Sequence, residues 1–165
     1  MEQYQELREL SKKKIKVADH MLTMTYPLVQ DSKLLLAVVE NIFLALSNAM
    51  GSVLYYERLF KMIPPFQEDF SSKFNMFRSR IVDKHKIKQE YIDLIQDIKN
   101  IIVEHKKSPV EFSRKDAFVI CTSSYNMKVI STDVIKNYLN KAKLFIEEAS
   151  KITNRGDEAL NNALR

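Results

Sequence analysis

One stretch, Asp31 to Ile63, constrains the fold of this chain more than any other. It carries Leu34 to Val39, then Glu40, then an uncharged run from Asn41 to Tyr56, and after Glu57 and Arg58 it closes with Leu59 to Ile63. Asp31 or Ser32 can cap it by accepting from the first free N–H groups, and Pro64-Pro65 stop it. A helix of that length is about 45 Å long, longer than a small domain is wide. Ile42, Leu46, Ala49, Val53, Tyr56 and Phe60 form one stripe along it, and Leu36, Phe43, Met50 and Leu54 a second. Asn41, Ala45, Asn48, Ser52 and Tyr55 form a third line, small or uncharged polar. A helix apolar on most sides is buried on most sides. In one small domain that requires a central position or a partner chain. Small residues at Ala45, Ser47, Gly51 and Ser52 admit a second helix closely, so a homodimer across this helix is expected.

The remaining segments read as cover for this rod. With only two glycines and four prolines in 165 residues, turns are few and elements long. Glu2 to about Tyr26 has helical spacing at Tyr4, Leu7, Leu10, Ile15, Ala18 and Leu22, with Pro27 as its end. Its basic cluster, Lys12, Lys13, Lys14 and Lys16, reads as a solvated face, with phosphate contact as the alternative. Phe66, Phe70, Phe74, Phe77 and Ile81 recur at helical spacing in a helix starting at Pro65, and we read them as core flanked by snorkelling cations. About Lys88 to Glu104 places Tyr91, Leu94, Ile98 and Ile101 on one stripe, closed by Ser108-Pro109. Ala117 to Cys121 and Met127 to Ile130 are short and β-prone, with a turn at Thr122 to Asn126 between them. Ser131-Thr132-Asp133 is a strong helix start, and Asn154-Arg155-Gly156 the expected end, leaving a tail over 154–165. The expectation is a single all-α domain over 1–165: an antiparallel bundle of about five helices with a small β-hairpin-like insertion at about 109–131, before the last long helix.

Composition bounds the function. A formal charge of +5 is compatible with an anionic partner. One cysteine, Cys121, excludes an internal disulfide and fits a reducing compartment. The longest uncharged run falls short of the ~20 residues that cross a bilayer. No signal peptide pattern is visible, so a cytoplasmic chain with no membrane role is expected. Two glycines exclude Walker and dinucleotide Gly-rich loops, and no zinc or di-iron ligand spacing occurs. No cofactor and no metal are expected.

Two spacings remain. Arg80 is followed five residues on by His85, and Lys99-Asn100 are followed by His105 near the end of the fourth helix. On these residues the chain resembles the HEPN family (higher eukaryote and prokaryote nucleotide-binding domains). Its signature is an arginine, four to six residues and a histidine, often with asparagine after the arginine. Lys141 to Ile146 also looks like that family's closing helix. The second match stands in the expected place but has Lys99 where the family has arginine. The first keeps the arginine but lies one helix early. The resemblance implies a helical, often dimeric domain that binds RNA or nucleotides, a metal-independent ribonuclease or an inactive relative of one. It implies His105 as the proton-transfer group, with Lys99 and Asn100 at the phosphate, or Arg80 and His85 as the alternative pair. Lys106, Lys107, Arg80 and Lys84 are then the nucleic-acid contacts. Other readings stand beside these. His105 in phase with isoleucines suits a helix-end core position, His85 a basic loop and His20 a surface. The competing function is a non-enzymatic scaffold pairing through Asp31–Ile63.

Overall fold

The computed structural model describes residues 1–108, 111–121, 124 and 126–165, and only the backbone of 111–112. The expected Pro109 helix stop and most of the turn at Thr122 to Asn126 lie outside the described residues. Five helical rods surround one core. The first joins α1 (Gln3–His20) through a π turn (Met21–Thr25) to α2 (Tyr26–Val29). The second is α3 (Lys33–Leu59). The third joins α4 (Phe70–Met76) through a π turn (Phe77–Ile81) to α5 (Val82–His85). Then come α6 (Gln89–Lys107), strands β1 (Glu111–Arg114), β2 (Ala117–Cys121) and β3 (Met127–Ser131), and α7 (Thr132–Ala163).

The rod α3 is the axis, as its sequence requires. Fourteen of its 27 residues are buried, including Leu35, Ile42, Leu46, Met50 and Leu54, so its apolar surplus is largely covered within the chain itself. It is long and apolar enough to cross a membrane, yet here it packs against α1, α7, α6, α4 and β2. Asp31 Oδ1 accepts the Lys33 N–H at 3.0 Å, while Ser32 makes no side-chain cap. The rod ends at Leu59 rather than Ile63. Lys61 turns left-handed (φ 57°), and the chain then returns over 60–69 beside the last turns of α3. Consequently α4–α5 runs in the same direction as α3: Phe70 meets Phe43, and His85 meets Glu57. The helix of the phenylalanine stripe therefore starts at Phe70, where Asp69 caps the Ser72 N–H at 3.0 Å, and not at Pro65. Phe74, Phe77 and Ile81 are core; Phe66 and Phe70 are half-buried.

Three further departures have physical causes. Pro27 does not end the first helix. The π turn before it shifts the hydrogen-bond register, helical backbone continues to Val29, and Gln30 (φ 54°) makes the stop. Gly156 does not end the last helix. It is the one residue that fits there, because a Cβ would lie 2.6 Å from Tyr56 Cε2, and α7 runs unbroken to Ala163. The insertion has three strands rather than two. β1, β2 and β3 pair antiparallel in that order, with Arg114 opposite Ala117 and Phe118 opposite Ile130. Asp116 takes the positive φ (56°) of the first hairpin, and its carbonyl accepts the Thr132 N–H. Its carboxylate accepts the Tyr26 hydroxyl at 2.8 Å; burial and then Asp116 push that phenol up to about 12. Phe118, Ile120 and Ile130 join the helical core. Ser131 caps α7 as expected, its Oγ accepting the Val134 N–H.

Candidate functional site

Two helix ends meet at one buried carboxylate. Glu57 lies in the last turn of α3 with its side chain 1 % exposed. Past it the helix closes in a Schellman arrangement: the Met62 N–H bonds to the Glu57 carbonyl at 2.8 Å and the Lys61 N–H to the Arg58 carbonyl at 3.0 Å. α5 closes in a similar way, with the Ile87 N–H on the Val82 carbonyl at 2.9 Å and Lys86 left-handed (φ 55°). Both closures put lysine where glycine is usual. Between them Lys84 Nζ donates to Glu57 Oε2 at 2.7 Å, and His85 Nε2 lies 2.6 Å from Glu57 Oε1.

The position is an unfavourable one for an acid. A carboxylate in a helix's last turn meets the negative pole of the peptide dipoles, and a buried one also loses its hydration. With both oxygens engaged by Lys84 and His85, the charge is compensated on the spot. An ionised carboxylate only accepts, so Nε2 of His85 carries the proton, and in the neutral imidazole Nδ1 holds the lone pair. Such a contact fixes the orientation of the imidazole ring. His85 is 11 % exposed and Lys84 39 %, so the cluster is buried at Glu57 and opens to the surface through the lysine. Tyr56 adjoins it. Burial and then the Glu57 charge raise its phenol, while Lys84 and Arg155 act in the opposite direction, which puts Arg155 of α7 within electrostatic reach.

The other residues singled out in the sequence are spread along α6 and the third rod. Arg80 is exposed in the π turn, five residues before His85. Lys99 Nζ sits over two aromatic rings, 5.4 Å from the Phe43 centroid and 4.9 Å from that of Phe70. Asn100 is exposed and accepts from Gln96 Nε2 at 2.9 Å. His105 is half-buried in the last turn of α6, followed by exposed Lys106 and Lys107. Six residues on a helix are about 9 Å of rise and about 120° of rotation, and the five from Arg80 to His85 about 7.5 Å and about 140°, so neither pair shares one helix face. His20 is exposed, as read. His85, read as a loop residue, instead terminates α5 against a buried acid.

Glu57 was visible in the sequence only as a charge bounding the apolar run. The available signal was its sign: an acid, not a base, in the final turn of an apolar helix. Among the described residues, no group of three His, Cys, Asp or Glu side chains gathers where a metal ion could be held. No protein-family model, no curated protein and no solved structure matches the chain.

Proposed function

We propose that this chain is a HEPN-like RNA-binding domain whose working histidine is His85. The supporting observation is the Glu57–His85 contact of 2.6 Å, a buried acid fixing an imidazole at the end of the most basic local stretch. In this reading Glu57 positions His85, and Nδ1 takes a proton from an RNA 2′-hydroxyl. Arg80, Lys84 and Arg155 then supply positive charge near the phosphate. In metal-independent cleavage the 2′-oxygen would attack the phosphorus, the P–O5′ bond would break, the protonated His85 would return its proton to the departing 5′-oxygen, and a 2′,3′-cyclic phosphate would be left; a non-cleaving relative would use the same groups to bind. The spacing from Arg80 to His85 agrees with the family's signature, whereas Lys99 is already engaged with Phe43 and Phe70.

The test is fluorescence anisotropy with a short single-stranded RNA over a salt series, on the wild type, His85→Gln and Arg80→Gln. Binding should weaken with salt, with a shallower slope in Arg80→Gln. Cleavage assays in a chelator should give cyclic phosphate ends that disappear in His85→Gln. Binding unchanged by both substitutions, but lost in Lys99→Ala or His105→Ala, would return the site to α6. The scaffold alternative draws on Leu44 and Leu59, the large apolar residues α3 still exposes, and on exposed Leu10 and Val17 of α1. A sedimentation mass of one chain at micromolar concentration would remove homodimer formation from either reading.

A further inference from the structure

The lysines near the start of the chain border a groove. Between α1 and α7 lies a cleft of about 400 Å³, lined by Ile15 and Ile146 at its floor and by Lys12, Lys16, Lys143 and Lys151 among its walls. α1 runs antiparallel to α7 here, since Arg8 reaches Thr153 and Lys143 pairs with Asp19. The volume falls within the ~300–1,000 Å³ typical of small-ligand sites. Lysine stems are four methylenes long and lie along apolar surface with the ammonium in water, so a cleft walled by lysines is apolar inside and cationic at its rim.

Charge and shape narrow the occupant. Lys12 and Lys143 have acid partners, Glu9 at 3.6 Å and Asp19 at 3.1 Å. Lys16 and Lys151, both exposed, have no ion pair among the described residues. With Glu147 also in the wall, the site offers at most two uncompensated cations, few for a long polyanion. The floor is narrow as well: Ile15 is 7 % exposed and Ile146 6 %. That is too little apolar surface to seat a helix about 10 Å wide, but a thin chain would also touch the lysine methylenes. Lys143 to Lys151 spans two helical turns, about 12 Å.

We infer that the α1–α7 groove is a binding site for a medium-chain carboxylate, its alkyl chain on Ile15, Ile146 and the lysine stems and its carboxylate at Lys16 or Lys151. This site is separate from the Glu57–His85 junction and does not depend on its function. The test is calorimetric titration with octanoate, decanoate and dodecanoate below their micelle concentrations, with dodecanol and inorganic phosphate as controls. Expected are one site per chain and affinity rising about two- to fourfold per added methylene. Dodecanol and phosphate should each bind much more weakly than dodecanoate. The Lys16→Gln/Lys151→Gln protein should lose about tenfold while keeping its circular dichroism and melting temperature, and Ile146→Asn should flatten the chain-length dependence. Binding insensitive to both variants would overturn the assignment, as would absence of saturation. Phosphate binding as well as dodecanoate would reduce the groove to an anion site and equally refute it. Displacement of dodecanoate by single-stranded RNA, with no chain-length dependence, would give the groove to nucleic acid instead.

Discussion

The chain holds two histidines in comparable sequence settings and gives them different surroundings. His85 and His105 each end a helix in a lysine-rich stretch, preceded by a cation at arginine–histidine spacing. At His85 the tertiary structure delivers a buried carboxylate from another rod, 28 residues away in sequence. At the other position the leading cation, Lys99, is drawn off to the Phe43 and Phe70 rings. Spacing along a helix thus nominates both sites equally. What the spacing does not show is the second element that arrives at His85 with the complementary charge.

The largest effect should come from the junction itself. Lys84→Ala/His85→Ala would leave Glu57 buried without compensation, and we expect about 3 to 5 kcal/mol of lost stability in urea unfolding. Lys99→Ala/His105→Ala should cost markedly less; equal losses would erase the contrast. Next comes the packing that supports Tyr56, the neighbour of Glu57. Gly156→Ala would drive a Cβ into the Tyr56 ring and should cost about 1 to 3 kcal/mol, read as a lower melting temperature.

A smaller effect is expected at the polar clasp between α1 and α7, which holds its charge without a helix end against it. Asp157 accepts from Tyr4 and Gln5 at 2.8 Å each and from Arg8 at 2.7 Å. Burial alone would raise its carboxyl, but the bonds from Gln5, Arg8 and Tyr4 outweigh that and hold it below the usual range. A depressed folded value means the stabilisation is present above the unfolded carboxyl value and is lost as pH falls through the lower, folded one. Asp157→Asn should therefore cost about 1 to 2 kcal/mol at neutral pH and flatten the acid limb of a stability–pH curve. A limb as steep as the wild type's would assign acid sensitivity to other carboxylates. The smallest effect is Lys99→Ala: loss of two cation–π contacts should cost about 0.5 to 1 kcal/mol in thermal unfolding and leave RNA affinity unchanged.

Much of the architecture could be read from the residues because the relevant signals are local. The apolar run of α3, the isoleucine stripe of α6, the Ser131 cap and the strands at Ala117 and Met127 are patterns within a few residues of one another. Pro27 and Gly156 misled for the same reason. Each is a helix breaker by single-residue propensity, and each is accommodated by something that propensity does not register: a π shift in the preceding turn in one case, a tyrosine from α3 in the other. The apolar surplus of α3 was a correct reading of one helix, but how much of it this single chain would cover depends on four other helices and a sheet.

By itself, then, the sequence determined that a long apolar rod must be enclosed by amphipathic helices, and that basic charge would gather from Lys73 to Lys88. Hydrophobic periodicity and net charge are additive along the chain, so they can be read without coordinates. Only the tertiary structure decided that His85 receives a buried acid. The left-handed closure at Lys61 turns the chain back beside α3, so that α4–α5, running in the direction of α3, ends with His85 beside Glu57. A contact of that kind depends on the directions in which two helices end, and no spacing in the sequence encodes them.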